Sequence, residues 1–221
     1  MYLSRLILNP RARRAQSEIA HPYELHRSLS RALGAGLTAG SERLLYRLEA
    51  DLRGLLVVLV QSQTEPDWSW LADPGARGYL LEGPDNPASK RFEPAFSPGQ
   101  ALAFRLRANP TRKLSGGRDS NGKRVGLIRE EEQLDWLRRK GEAGGFQLLS
   151  VRARQDGLLP VVTLARVEGR CTMSFLAVTF DGILRVLEPD PFRQTLERGI
   201  GSGKAMGFGL LSLARATGPS P

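Results

Sequence analysis

The chain has 221 residues, enough for one large domain or for two domains of roughly a hundred residues each, and we expect two. Its 32 Lys and Arg residues, most of them arginine, outnumber 23 Asp and Glu residues, and the resulting charge of +9 favours a polyanion such as RNA or DNA over an acidic small molecule. An arginine bias caused by GC-rich coding or by a hot-living host would give the same composition.

Several classes of protein are excluded by simple counts. Cys171 is the only cysteine, so neither an internal disulfide nor a cysteine-based zinc cluster is expected. The only two histidines, His21 and His26, would point to different faces of a helix, and we expect no metal and no other cofactor. The longest apolar run, 55–60, is too short to cross a membrane, and Arg5 interrupts the apolar N-terminus, so we expect a cytoplasmic protein without a signal peptide.

The first half of the chain predicts the element order β-α-β-β-(α)-β. Pro22 fits the first turn of a helix that would run from about 22 to 37, because its fixed φ suits that position. A basic segment, 11–14, precedes this helix, and a Pro- and Gly-rich stretch, 73–99, is predicted to be a loop. The predicted strands are 2–8, 43–49, 55–63 and 101–107, and a short second helix is predicted after Pro66.

The second half predicts a similar unit. Strands are predicted at 124–128, 146–154, 161–167, 172–180, 183–187 and 210–214, and helices at 130–142 and 189–198. We therefore predict an α+β chain of two tandem ferredoxin-like (RRM-like) domains, with antiparallel sheets and helices on one face. The N-terminal domain would span 1–109, a linker 110–122, and the C-terminal domain 123–221, with a basic hairpin and a glycine-rich loop.

The predicted helix at Pro22 carries the candidate reaction centre. His26 falls at the edge of an apolar stripe, with Tyr23 and Ser30 beside it at i−3 and i+4 and with Arg27 four residues after Tyr23. A single histidine in such a place is more often structural, and Arg27 and Arg31 alone would be a solvated face. The combination of phenol, imidazole and guanidinium groups is what favours catalysis.

A basic surface and a glycine-rich run are the candidate RNA-binding features. The cations expected to hold phosphates are Arg105, Arg107, Lys113, Lys123, Arg124, Arg152, Arg154, Arg166 and Arg170. The run 199–210 is neither a Walker loop, because of Arg198 and Ala205, nor a dinucleotide fingerprint, because of Lys204. It leaves Gly201, Gly203 and Lys204 as candidate phosphate contacts, or else a tight structural crossover.

Four segments together resemble one family. Residues 6–10 (Leu-Ile-Leu-Asn-Pro), 22–27 (Pro-Tyr-Glu-Leu-His-Arg), 104–110 (Phe-Arg-Leu-Arg-Ala-Asn-Pro) and the run 199–210 are similar, in family order, to the CRISPR-associated endoribonucleases of the CasE type. The resemblance implies tandem ferredoxin-like domains, cleavage of CRISPR precursor RNA at the base of the repeat hairpin without metal, retention of the product, and association with the other Cascade subunits. It also implies that Tyr23 and His26 are catalytic, whereas Arg31 stands where some relatives have a lysine.

The residues suit RNA cleavage by the neighbouring 2′-OH, which needs alignment, proton transfer and cations rather than a metal. His26 would be the general base or acid, Tyr23 would orient the phosphate or complement His26, and Arg27 and Arg31 would screen the phosphate. Slow chemistry with 2′,3′-cyclic phosphate and 5′-OH products is expected. The alternatives are a non-catalytic RRM-like RNA-binding module, although 55–60 lacks base-stacking aromatics, and, more weakly, a nucleotide-dependent enzyme.

Overall fold

The computed structural model describes residues 1–34, 43–51, 53–113, 124–166 and 169–216, with the side chains of 160–174 outside the described part. Contacts divide the chain into two compact units. The first consists of Met1–Pro94 with Lys204–Leu210, and the second consists of Ala95–Gly203 with Leu211–Pro221. Each unit has its own antiparallel sheet.

In its described residues, the first unit is a four-stranded sheet with two α-helices. Its strands are β1 (Tyr2–Leu8), β2 (Leu45–Ala50), β3 (Leu56–Ser62) and β4 (Ala88–Arg91), in the order β2-β3-β1-β4. Its helices are α1 (Arg13–Ala20) and α2 (Pro22–Ser30), and short 3-10 helices cover Arg31–Leu33, Ser69–Ala72, Pro74–Ala76 and Lys204–Met206. Leu6 and Leu8 of β1 share a buried core with Leu25 and Leu29 of α2, so this helix covers one face of the sheet.

Helix α2 follows from its sequence. Pro22 occupies its first turn, and Glu24 lies in the same turn, where its charge favours the positive end of the helix dipole. Leu25 and Leu29, four residues apart, are both fully buried, which fixes the helix on the sheet. The predicted start at Pro22 is confirmed, but α2 ends at Ser30 and is followed by the 3-10 turn Arg31–Leu33, earlier than predicted. Residues 35–37 of the predicted helix lie outside the described part.

Strand Ala101–Ala108, here β5, corrects the predicted organisation. We assigned it to the first unit, but it pairs with strands of the second, where Phe104 lies opposite Gly182 and Leu106 opposite Phe180 in a buried layer. The first sheet takes its fourth strand instead from the stretch predicted as loop, because β4 pairs with β1 from Tyr2 to Arg5. The division between the units therefore falls at Pro94, not at 109.

The second unit repeats the same strand order. Its main strands are β5, β8 (Phe146–Arg166), β9 (Gly169–Val186) and β10 (Leu211–Arg215), in the order β10-β5-β9-β8. Its helices are α3 (Glu130–Ala143) and α4 (Pro189–Arg198), as predicted, and a small separate sheet joins β6 (Thr111–Lys113) to β7 (Arg124–Gly126). Both units thus have the order of a ferredoxin-like sheet, which confirms the predicted fold class.

Three further predictions for the second unit need correction. The strands predicted at 172–180 and 183–187 are one strand, β9. The strand predicted at 124–128 is the short β7, which pairs with β6 rather than opening the large sheet. The strands predicted at 146–154 and 161–167 are one strand, β8, whose bulges near Ser150, Gly157 and Val162 interrupt the alternation of side chains. None of the described helices is both long and apolar enough to cross a membrane.

Candidate active site and nucleic-acid interface

His26 projects from the second turn of α2 and is half-buried. Its Nδ1 is enclosed and has no hydrogen-bond partner among the residues that the structure describes. Burial lowers the pKa of His26 below its ordinary value of 6.5, because the charged imidazolium would lose hydration. The ring is therefore neutral near pH 7, and Nε2 is the nitrogen through which it can exchange a proton with a ligand.

Two phenol rings lie near the His26 imidazole. The Tyr23 ring is 6.3 Å away between centroids, tilted by 39°, and Tyr23 is 37% exposed. The Tyr46 ring of β2 is 6.1 Å away, inclined by only 19°, and Tyr46 is 1% exposed. Sequence reasoning identified Tyr23 but missed Tyr46, because nothing in a strand pattern indicates which helix residue its aromatic side chain meets.

The cations of α2 differ in their partners. Arg27 pairs with Glu24 at 2.9 Å, and both side chains are exposed. Arg31 instead pairs with Asp73 at 2.7 Å and lies 4.7 Å above the ring of Trp70. The structure thus keeps Arg27 on the solvent side of α2 near Tyr23 and His26, whereas Arg31 is engaged by the segment after β3.

Ser30 also differs from its expected place beside the imidazole ring. Its hydroxyl donates to the backbone carbonyl of His26 at 2.6 Å. A hydroxyl that bonds to the preceding turn in this way serves the helix backbone rather than the reacting ring.

A buried polar cluster that the sequence did not reveal anchors α2 to its neighbours. Glu18 of α1 is 6% exposed and accepts hydrogen bonds from Arg14 Nε at 2.8 Å, Ser28 Oγ at 2.7 Å and Tyr79 Oη at 2.5 Å. Arg14 also donates to Ser28 Oγ at 2.9 Å. Since Ser28 lies two residues after His26, this cluster ties the histidine-bearing helix to α1 and to the segment around Tyr79.

Four of the predicted RNA-binding arginines share one face of the second sheet. Across the strands, Asp181 lies opposite both Arg105 and Arg152, and Thr179 lies opposite both Arg107 and Arg154. Directly opposed residues of an antiparallel sheet project to the same side. The opposite face is packed with the buried Phe104, Leu106 and Phe180, so the arginine face is distinct from the core of this unit.

Two carboxylates organise these arginines. Asp156 accepts from Arg107 Nε at 3.2 Å, Arg154 Nε at 3.1 Å and Thr179 Oγ1 at 2.6 Å. Asp181 accepts from Arg105 Nε at 2.6 Å. Because two acidic groups face four guanidinium groups, the cluster keeps a net positive charge.

The remaining predicted cations lie elsewhere in the second unit. Lys113 and Arg124 are paired neighbours on the β6-β7 sheet. In the β8-β9 hairpin, Arg166 is paired with Gly169 and Arg170 with Ala165, but both side chains lie outside the described part, as does all of Lys123.

In the glycine-rich run, several positions require glycine because neighbouring side chains pack closely against the backbone. A Cβ on Gly201 would lie 3.1 Å from the Trp136 ring, and a Cβ on Gly207 would lie 3.1 Å from the Tyr46 ring. Gly201, Gly203 and Gly207 all have positive φ, which favours glycine. Lys204 opens the 3-10 helix Lys204–Met206. The run therefore has a structural role.

Across the described ranges, no group of three or more His, Cys, Asp or Glu side chains is arranged to hold a metal ion.

Comparison with known proteins decides the family. The profile described as "CRISPR associated protein" matches residues 1–215. The chain is a member of this CRISPR-associated protein family. Family membership confirms the resemblance found in the sequence and accounts for the paired ferredoxin-like sheets.

Individual relatives of this CRISPR-associated chain are similarly informative. It is 46% identical to the CRISPR-associated endoribonuclease Cse3 of Thermus thermophilus, over 97% of this chain and 100% of that protein. It is 34% identical to the CRISPR system Cascade subunit CasE of Escherichia coli, over 57% of this chain and 64% of that protein. A solved structure of Thermus thermophilus Cse3, bound to an RNA representing a pre-cleavage complex, has a TM-score of 0.78 and 45% identity over 96% of this chain and 98% of that one.

Proposed function

We propose that the chain is a metal-independent endoribonuclease that cleaves CRISPR precursor RNA at the base of the repeat hairpin. The 2′-OH next to the scissile phosphate would be the nucleophile, and the products would be a 2′,3′-cyclic phosphate and a 5′-OH. The observation that carries the proposal is the neutral, half-buried imidazole of His26 beside the exposed phenol of Tyr23, in a chain whose relatives bear endoribonuclease names.

His26 acts as the general base in this proposal. A lowered pKa means that the ring is unprotonated near neutral pH and can accept the 2′-OH proton. The proton arrives at Nε2, because Nδ1 is enclosed. Tyr23, whose ordinary pKa near 10 makes it a poor base, orients the phosphate or donates a hydrogen bond to it. The exposed Arg27 can turn from Glu24 toward the phosphate and offset charge on the phosphorane.

The surroundings of Nδ1 explain why slow chemistry is expected. To accept a proton at Nε2, the neutral ring must already carry its hydrogen on Nδ1, which has no partner among the described residues. In either neutral tautomer Nδ1 stays unpaired, as a donor or as an acceptor, so no hydrogen bond from the described residues holds the ring in the tautomer that the reaction needs. A subunit that retains its product crRNA has no need of rapid turnover.

The arginine face of the second sheet provides a docking surface for the RNA stem. Two arginines project from each of β5 and β8, on either side of β9, and they are Arg105, Arg107, Arg152 and Arg154. This spacing suits phosphates along one groove. Lys113 and Arg124 would add phosphate contacts, as would Lys123, Arg166, Arg170 and the backbone around Gly201, Gly203 and Lys204. The CasE relative, a Cascade subunit, supports an assembly with other Cascade proteins.

The decisive experiment compares two histidine variants on the host's repeat RNA. The wild-type chain should cleave the hairpin in EDTA and leave a 2′,3′-cyclic phosphate, and a single 2′-deoxy substitution at the cut site should abolish cleavage. His26→Ala should lose cleavage but retain RNA binding, whereas His21→Ala, which changes an exposed histidine, should cleave normally. Cleavage by His26→Ala, or of the 2′-deoxy RNA, would refute the mechanism; binding without cleavage by the wild type would favour a non-catalytic RNA-binding module.

A further inference from the structure

Tyr46 joins two parts of the first unit that the proposed reaction uses. It lies on β2, opposite Val60 of β3, and is 1% exposed. Its hydroxyl donates to the backbone carbonyl of Pro22 at 2.6 Å, and the carbonyl of Ala205 lies 3.2 Å from the same oxygen. Pro22 opens the helix that carries His26, and Ala205 belongs to the glycine-rich run.

The Tyr46 ring supports the imidazole directly. The two ring planes are inclined by 19° and their centroids are 6.1 Å apart, an offset arrangement typical of stacked aromatic side chains. Pro22 precedes His26 by four residues, about one helical turn, so the hydroxyl holds the turn directly below the histidine. A single rigid side chain on a paired strand therefore contacts both the ring of His26 and the backbone of the first turn of its helix.

The glycine-rich run is shaped to fit the same tyrosine. Gly207 has φ of 79°, and a Cβ there would lie 3.1 Å from Cε2 and 3.4 Å from Cζ of Tyr46. The amide of Gly207 donates to the carbonyl of Lys204 at 3.1 Å, which closes the 3-10 turn against the ring. The segment Lys204–Leu210 thus packs on Tyr46 through a glycine that admits no larger residue without strain.

We infer that Tyr46 is a positioning residue that holds the His26 imidazole and the Lys204–Leu210 segment in a fixed arrangement, so that RNA lying along this segment presents its 2′-OH to His26. The inference rests on the proposed function. It assigns the ring and the hydroxyl separate tasks: the ring fixes the imidazole plane and keeps water from it, and the hydroxyl ties the first turn of α2 to the glycine-rich segment.

Two substitutions separate these tasks. Tyr46→Phe keeps the ring but removes the donor to Pro22 and Ala205, so the single-turnover cleavage rate should fall about ten- to a hundredfold, as expected for a small misplacement of reacting groups. The dissociation constant for uncut RNA should change little. Tyr46→Leu removes the ring as well, and the pKa of His26, followed by the imidazole proton resonances, should rise toward 6.5 because water gains access.

Tyr79→Phe is the matched control, since it also removes one buried, hydrogen-bonded tyrosine hydroxyl from the first unit, whereas Ser28 of α2 keeps its own hydrogen bonds to Glu18 and Arg14. It should lower thermal stability as much as Tyr46→Phe or more, yet leave the cleavage rate within about threefold of wild type at a temperature where both variants are folded. The inference is overturned if Tyr46→Phe cleaves at the wild-type rate, or if both variants lose rate equally. If the wild type does not cleave, or His26→Ala does, the proposed function itself fails.

Discussion

Removal of the Tyr79 hydroxyl tests whether the buried cluster around Glu18 stabilises the first unit. The hydroxyl donates to Glu18 Oε2 at 2.5 Å, and Tyr79 and Glu18 are 1% and 6% exposed. A hydrogen bond to a charged group contributes about 1.5–3 kcal/mol. Because Arg14 and Ser28 still donate to Glu18 after Tyr79→Phe, we expect a loss of about 2 kcal/mol in the free energy of unfolding, and a fall in Tm of about 4–8 °C.

Denaturant unfolding at several pH values tests this prediction most directly. Burial, followed by the hydrogen bond to Glu18, raises the pKa of Tyr79 well above 10. A raised pKa in the folded state means that the stabilisation is complete below about pH 10 and is lost at higher pH, where the unfolded tyrosine releases its proton first. The difference in the free energy of unfolding between wild type and Tyr79→Phe should therefore be constant from pH 7 to 9 and become smaller above pH 10.

The control for this measurement is Tyr23→Phe, because Tyr23 is exposed and its loss should change the free energy of unfolding by less than about 0.5 kcal/mol. The assignment of stabilisation to this hydrogen bond would be refuted if Tyr79→Phe lowered the free energy of unfolding by less than about 0.5 kcal/mol. It would also be refuted if the difference from wild type did not become smaller above pH 10.

Three further predictions concern pH, salt and backbone conformation. The cleavage rate of single turnovers should rise from acid to a plateau with a midpoint below 6.5, because His26 with its lowered pKa must be neutral to act as a base; a rate that falls through that pH would make it the acid. Replacing Arg152 and Arg154 together by Ala should weaken hairpin binding and reduce the slope of log K against log salt by about two, and an unchanged slope would exclude this face. Gly207→Ala should cost at least about 1–2 kcal/mol of stability, measured by denaturant unfolding, because of its positive φ and the close Tyr46 ring; an unchanged midpoint would contradict that packing.

Local pattern predicted the start and the buried face of α2, because that information is local, but it did not predict α1, Arg13–Ala20, where only a basic segment was expected. Pro22 and the spacing of Leu25 and Leu29 define both where α2 begins and which face it buries. That spacing placed Tyr23 and His26 together, and the structure has their rings 6.3 Å apart. It did not predict that Arg31 would be engaged by Trp70 and Asp73, since those residues lie about 40 positions further along the chain.

The pairing of strands could not be predicted from the hydrophobic pattern of the sequence. Alternation of apolar and polar residues correctly indicated a strand at Ala101–Ala108. Such alternation shows that one side of the strand is buried, but it does not show which sheet the strand joins. The fourth strand of the first unit, Ala88–Arg91, has only four residues, and three of them are polar. Its sequence therefore has no alternation that would predict a strand. Glu18, Tyr46 and Tyr79 were missed for the same reason, because their roles arise only from contacts distant in sequence.

The order in which the segments are synthesised gives the first unit an unusual dependence on the end of the chain. Its sheet and helices are complete by Pro94, yet Lys204–Leu210, which packs on Tyr46, belongs to the same unit. A ribosome must therefore translate more than a hundred additional residues before the histidine's surroundings can be finished. A fragment that stops before Lys204 would contain His26, Tyr23 and Tyr46 and still lack the segment that packs on Tyr46, so expressing the protein as two separate halves would part His26 and Tyr46 from that segment.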